Sequence, residues 1–214
     1  MRGKLIIFEG INGSGKSFYI NKLINNEYLP NTVYFKFPDR TTSTGQKIDK
    51  FLKKEINIST NERKNLFINN ILEQKINILN KLNQGLNVIC DRYIISTLTY
   101  EYTEIINDIY NNNNLNQDTI LTLINVIKYK MLPKPDIIFL INGNHINKRN
   151  EEIQRYHNSI YNNIIFNNYI TIMTLMNEKF EIINNININD TQKNINNIIS
   201  KISLLNNNNN INLY

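Results

Sequence analysis

Lys4-Leu5-Ile6-Ile7-Phe8-Glu9 runs directly into Gly10-Ile11-Asn12-Gly13-Ser14-Gly15-Lys16-Ser17, and this junction constrains the chain more than any other stretch. A short apolar run bounded by charge and glycine predicts a buried parallel strand. The segment after it is a complete GxxxxGKS loop. Its glycines let the backbone curl so that the N–H groups around Gly10, Asn12, Gly13, Ser14 and Gly15 point at phosphate oxygens. Lys16 is placed to reach the β- and γ-phosphates, Ser17 offers a hydroxyl to Mg²⁺, and the following helix presents its positive end. Phe18–Ile24 carries apolar residues at helical spacing, so strand, loop and helix are predicted in the order such a loop requires. The stretch reads as a nucleotide-phosphate site.

The remaining chain alternates in the same way. Thr32–Phe37 predicts a second strand, ended by Pro38, which cannot donate to a ladder. Arg40 therefore falls on a loop at a strand's carboxyl end, where ligands bind in open α/β sheets. Helices are predicted over Ser43–Lys54 and as one long element over Thr60–Asn83, closed by Gly85. Leu86–Cys90 predicts a strand that delivers Asp91, Arg92 and Tyr93 at its end, followed by helices over Ile94–Tyr110 and Gln117–Met131. A strand over Ile137–Ile141 follows the break at Leu132–Asp136. A polar segment of about 142–163 leads into further helix up to Met176. Glu181–Asp190 holds a last strand and Thr191–Leu205 a last helix. This alternation predicts an α/β fold of three layers, a parallel sheet with helices on both faces. It forms one domain over 1–205, with an Asn-rich tail over 206–214.

With 214 residues, 41% of them hydrophobic, the chain can bury a sizeable core. No apolar run approaches the ~18 residues of a membrane helix, so no membrane partner is expected. The first strand begins by residue 4, which leaves no room for a leader peptide. Cys90 is the sole cysteine, so no intrachain disulfide can form, and a reducing, cytoplasmic setting is expected. The net charge of +6 is dispersed rather than gathered in a stripe. It suits anionic nucleotides and argues against a nucleic-acid partner.

Polar groups gather at strand ends: Arg40, Asp91, Arg92 and the cationic segment Lys148–Arg155. Transfer of a phosphoryl group is mostly positioning and charge neutralisation, so a kinase of a phosphorylated acceptor needs two cationic cradles. Lys16 would serve the donor, and arginines, which grip two oxygens at once, suit an acceptor's monophosphate. A Lys/Arg segment closing over the donor would exclude water and supply transition-state charge. Asp91 would join Ser17 in the Mg²⁺ shell. His145 and His157 lack metal-ligand spacing.

Five motifs together, FEGINGSGKS, FPDRTTSTGQKID, LFxxNxxEQ (Leu66–Gln74), DRYxxSxxxY (Asp91–Tyr100) and LPKPD, resemble the thymidylate kinases, most closely the viral, poxvirus-like ones. The resemblance implies the nucleoside-monophosphate-kinase fold with a five-stranded sheet, a lid at about 142–163 and a homodimer. It implies ATP and Mg²⁺ as cofactors and dTMP as acceptor, in the cytoplasm of a cell or of a viral host. Arg40 and Arg92 would hold the acceptor phosphate. Phe67 would stack on the base, with Phe37 and Leu52 lining its pocket and Ser96 nearby. Tyr100 would lie under the deoxyribose. Arg149 or Arg155 would act as the lid cation, with Tyr156 touching sugar or base. Asn12, Ile71 and Thr97 depart from the family's Asp, Arg and Gly. Gly13 stands where some members carry a catalytic arginine. Broader acceptor specificity, or a weakened nucleotide-binding homologue, are the alternatives these departures leave open. A deoxynucleoside kinase would share the loop but need a carboxylate base for a neutral hydroxyl.

Overall fold

The computed structural model describes residues 2–25, 28–112, 132–143, 159–185 and 187–207. In these, β1 (Leu5–Glu9), β2 (Thr32–Lys36), β3 (Asn87–Asp91), β4 (Ile137–Asn142) and β5 (Phe180–Asn184) form a wholly parallel sheet in the order β2-β3-β1-β4-β5. β1 is central, flanked by β3 and β4, so the glycine loop leaves the sheet at its middle. The strand order reverses there, and that is where open α/β sheets place their ligand crevice.

Helices cover both faces, and the period of two along each strand decides what they cover. Leu5 and Ile7 of β1, with Val88, Cys90, Ile138 and Leu140, join one buried cluster. Helices α3 (Thr60–Glu73), α4 (Lys75–Asn83), α5 (Ile94–Asn112) and α6 (Ser159–Leu175) contribute to that cluster. Ile6 and Phe8, with Ile89, Phe139, Ile141 and Ile183, face the other way onto α1 (Lys16–Asn25) and α7 (Thr191–Asn207). A strand buried on both faces reads as a continuous apolar run, which is why LIIF carries no polar alternation. Cys90 lies within the first cluster, fully buried, and burial pushes its thiol up, as an inert core residue requires.

The expected long helix over Thr60–Asn83 is two. α3 ends at Glu73 and α4 starts at Lys75, with Gln74 between them at φ −93°, ψ −2°. The hydrophobic period runs through both helices, so it carries no mark of the break. Gln74 instead turns its amide to Asp39 Oδ2 at 2.7 Å, tying the break to the loop after β2. Helix α2 (Ser43–Leu52) is shorter than expected by two residues, and Lys54 beyond it has a positive φ of 62°. The Gln117–Met131 helix lies outside the described residues. No helix among the described residues is long and apolar enough to cross a membrane.

Candidate functional site

β1 delivers its last residue, Glu9, to the glycine loop. Gly10 has φ 138°, and a Cβ there would stand 2.5 Å from the Ile141 carbonyl oxygen, so no larger residue fits. Lys16 folds back across its own loop. Its ammonium donates to the carbonyls of Gly10 (2.9 Å) and Ile11 (2.7 Å) and to Ser14 Oγ (3.4 Å). Burial pulls its pKa down to about 7, and the Arg92 charge adds to that, against the pull of Asp91 and Glu9. Asn185, just past β5, donates to the Ser14 carbonyl at 2.8 Å and accepts from Tyr19 Oη at 2.9 Å, fastening the loop from behind.

Asp91 ends β3 beside the loop. Its Oδ2 accepts from Ser17 Oγ at 3.0 Å and from Tyr34 Oη at 3.4 Å. A hydroxyl and a carboxylate meeting at a helix start are hard oxygen donors of the kind Mg²⁺ takes, with water completing the shell. No cluster of three His, Cys, Asp or Glu side chains able to hold a metal occurs among the described residues, so a cage built wholly of protein groups is not seen there.

Arg92 sits at φ 72°, a left-handed backbone costing roughly 1–2 kcal/mol for a residue with a Cβ. Its backbone N–H remains bound to Phe8 O at 2.9 Å, so the strained turn is clamped to β1. The guanidinium then bridges two regions. Nη1 donates to Gly10 O (2.9 Å), Ser96 Oγ (3.1 Å) and Tyr169 Oη (3.1 Å), while Nη2 donates to Asn12 Oδ1 at 2.5 Å. Beneath it Glu9 is fully buried, accepting from the N–H groups of Tyr93 (2.8 Å) and Ser96 (3.1 Å) and from Ser96 Oγ (2.5 Å). Burial lifts the Glu9 carboxyl to about 7, against the opposing effects of Arg92, Ser96, Tyr93 and Lys16.

A cavity of about 110 Å³ opens beside this network. Two helix stripes form its walls. Arg63, Phe67, Asn70 and Ile71 line it from α3 at offsets of four, seven and eight, one face of a helix. Ser96, Thr97, Tyr100 and Glu101 line it from α5. Phe37, Pro38 and Leu52 close the side, and Asn12 and Arg92 reach in from the phosphate loop. The Phe37–Pro38 peptide is cis. Fully buried Asn70 holds the loop that follows. Its amide nitrogen donates to Asp39 O (3.0 Å), Thr42 Oγ1 (2.9 Å) and Thr44 Oγ1 (2.9 Å), and its oxygen accepts from Asp39 N at 2.7 Å. The loop packs so closely on α2 that a Cβ on Gly45 would lie 1.8 Å from Asp39 O.

The residues singled out from the sequence thus separate into four groups. Lys16, Ser17, Asp91 and Arg92 converge at the loop, and Phe37, Leu52, Phe67, Ser96 and Tyr100 share the cavity with Asn12 and Arg92. Arg40 stands apart. It is half exposed, ion-pairs with Asp49 of α2, and is not among the cavity's lining residues. Lys148, Arg149, Arg155 and Tyr156 lie outside the described residues, as do His145 and His157. Glu9, Asn70, Tyr169 and the Arg63–Glu101 pair carry parts of the site that sequence reasoning did not assign. A carboxylate ending an apolar strand and an asparagine on an apolar helix face were the visible signals for Glu9 and Asn70. Tyr169, one aromatic among many apolar residues on a helix far along the chain, offered none.

A parallel sheet of order 2-3-1-4-5 with a GKS loop leaving its central strand, and an apolar cavity sharing an arginine with that loop, defines a P-loop protein of the nucleoside-monophosphate-kinase fold. Residues 8–202 match the family model for thymidylate kinase. The chain belongs to the thymidylate kinase family. It is 34% identical over 144 residues to the thymidylate kinase of Dictyostelium discoideum, a match spanning 65% of this chain and 58% of that one. It is 38% identical over 103 residues to that of Schizosaccharomyces pombe, spanning 46% and 48%. The chain thus spans about half of the curated relatives it matches. Its fold superposes on thymidylate kinase from Candida albicans with a TM-score of 0.73 at 26% identity, covering 95% of this chain and 94% of that one. That enzyme is described as having broad substrate specificity.

Proposed function

We propose that the protein transfers the γ-phosphoryl group of ATP to dTMP, giving dTDP and ADP. The observation that carries this reading is Arg92, whose guanidinium touches the phosphate loop at Gly10 and Asn12 while lining the cavity beside it. An acceptor's phosphate held there would meet a donor cradled by the loop. The attacking oxygen of a monophosphate is already ionised near neutral pH, so these residues have to align and neutralise rather than remove a proton. Lys16, now bonded to its own loop carbonyls, would exchange them for phosphate oxygens, and binding would restore its full charge. Ser17 and Asp91 would hold Mg²⁺, which neutralises charge between the phosphates when bound.

Arg40 would join Arg92 at the acceptor phosphate by leaving Asp49, which would keep its second cation, Lys53. Phe67 would stack on the base, with Phe37 and Leu52 beside it and Ser96 close by, and Tyr100 would support the sugar. Arg149 or Arg155 would supply the lid cation and Tyr156 a contact to sugar or base, on the strength of the motif resemblance. The same resemblance supports a homodimer, a cytoplasmic setting and a place beside the viral, poxvirus-like members. A wider acceptor range is the second reading, favoured by Ile71, an apolar residue on the cavity wall where the family expects an arginine.

The test is coupled ADP release with ATP and Mg²⁺ against dTMP, dUMP, dGMP, dCMP and thymidine. Turnover of dTMP is the expected result. Turnover of thymidine but not dTMP would overturn the acceptor assignment, and none at all would leave a nucleotide binder.

A further inference from the structure

The cavity walls are apolar along most of their length, through Phe37, Leu52, Phe67 and Ile71. Besides Arg92, two charged residues interrupt them. Arg63 of α3 donates through Nε to Glu101 Oε1 of α5 at 2.9 Å, and its Nη1 is ion-paired with Glu104 one turn further on. Both partners are deeply buried, with side-chain exposures of 11% for Arg63 and 6% for Glu101, and both line the cavity. Glu101 follows Ser96 by five residues on α5, which sets it about 7.5 Å along the helix from the Arg92 end of the cavity. Arg92, bonded to Ser96, and this pair, more than a turn further along α5, therefore line the same cavity at different points.

A buried ion pair is a poor device for stability, since well-packed apolar residues of similar volume often serve as well. In a ligand pocket, by contrast, a few placed polar groups among apolar walls fix the ligand's orientation. A guanidinium beside a carboxylate offers an N–H donor next to an acceptor. Its complement is a base edge with a carbonyl next to a ring N–H, as in thymine (O4, N3–H) and guanine (O6, N1–H). Cytosine and adenine have an amino group and an unprotonated ring nitrogen there instead. Burial also pushes the Glu101 carboxyl up, countered by the Arg63 hydrogen bond and charge, so its ionised form relies on that partner.

We propose that the Arg63–Glu101 pair reads the acceptor's base, selecting oxo bases over amino bases in the absence of an arginine at position 71. The inference rests on the monophosphate-acceptor reading above. It also accounts for how an acceptor site with Ile71 in its wall keeps polar discrimination.

The experiment measures kcat/KM, and separately calorimetric binding, for dTMP, dGMP, dCMP and dAMP. It uses the whole protein and the variants Glu101→Gln and Arg63→Lys, each checked by circular dichroism melting. Wild-type protein should favour dTMP and dGMP over dCMP and dAMP by roughly 100-fold, as a site with paired polar groups rejects a mismatched edge. Glu101→Gln, which can present a donor where the carboxylate presents none, should reduce the dTMP-to-dCMP ratio about tenfold, and Arg63→Lys should reduce it in the same direction. A merely structural pair would lower all four substrates together, so a ratio unchanged within about twofold in a folded variant overturns the inference. Base-selective binding that shifts in the variants without any turnover would sustain this inference and sink the kinase reading. Turnover of dTMP with unshifted ratios would do the reverse, and no binding of any monophosphate would end both.

Discussion

The two ends of the cleft are made by different means. At the phosphate end, strands β1 and β3 terminate side by side, and the backbone itself supplies the geometry: Gly10 at φ 138°, Arg92 at φ 72°, Arg92 N–H bound to Phe8 O. Strain there is held by a parallel sheet buried on both faces, and each functional group has its partners within the same small network. At the apolar end, where the proposed function would seat the base, helices α3 and α5 face each other through side chains. Phe67, Ile71, Tyr100 and Glu101 are placed by helix packing, which leaves side-chain identity free to vary. On the proposed reading, chemistry common to all phosphates would sit on the rigid part and selection between acceptors on the adaptable part.

The sharpest way to break this contrast is Arg92→Ala. If the phosphate end is one interlocked network, turnover should fall by roughly 100-fold or more in coupled ADP release. Stability should fall with it, because the variant deprives buried Glu9 of the cation that most opposes its desolvation. Glu9→Gln in the same background should recover part of the melting temperature without recovering the rate. Wild-type turnover in the single variant would remove Arg92 from the site.

Asn70→Ala probes the seam between the ends. Its side chain makes four hydrogen bonds to the Asp39–Thr44 segment and none of them is to a substrate. Losing them should cost about 1–3 kcal/mol of stability by urea unfolding. It should also raise the acceptor KM about tenfold with a smaller change in kcat, because the loop carrying Arg40 is loosened while the loop at Gly10–Ser17 is not. An unchanged KM would mean that the Asp39–Thr44 segment plays no part in acceptor binding.

The same contrast explains what could be read from the sequence. Apolar runs ending in Gly, Asp-Arg or Pro located β1, β2 and β3 to within a residue or so, and GxxxxGKS located the loop, since backbone-determined features leave compositional marks. β5, with an Asn-rich run after it, was bracketed only loosely by Glu181–Asp190 against the observed Phe180–Asn184. The split at Gln74 left none, because hydrophobic period is blind to a polar side chain that turns back to Asp39. The Arg63–Glu101 pair was equally hidden: each residue alone resembles an ordinary solvated helix position, and only the packing of α3 on α5 brings them together. Arg40 shows the converse. Its place after Pro38 predicted a ligand contact, while the side chain lies with Asp49 in the structure.

The smallest expected effect is a proton. Lys16 is drawn down to about 7 by burial first and then by Arg92, so near pH 8 most of the free protein carries it neutral. Bound triphosphate favours the ammonium, so binding near pH 8 should take up between about half a proton and one. Glu9, raised to about 7, is mostly ionised there already, and a charged Lys16 beside it favours the state it is in, so it adds little. Calorimetric titration with ATP in two buffers of different ionisation enthalpy reads the uptake directly. It should shrink as the pH falls below 7, where Lys16 already holds its proton, and vanish in Lys16→Met if that variant still binds. Uptake near zero at pH 8 would mean that Lys16 stays charged in the free loop. The rigid end of the cleft would then be preset for phosphate rather than switched on by it.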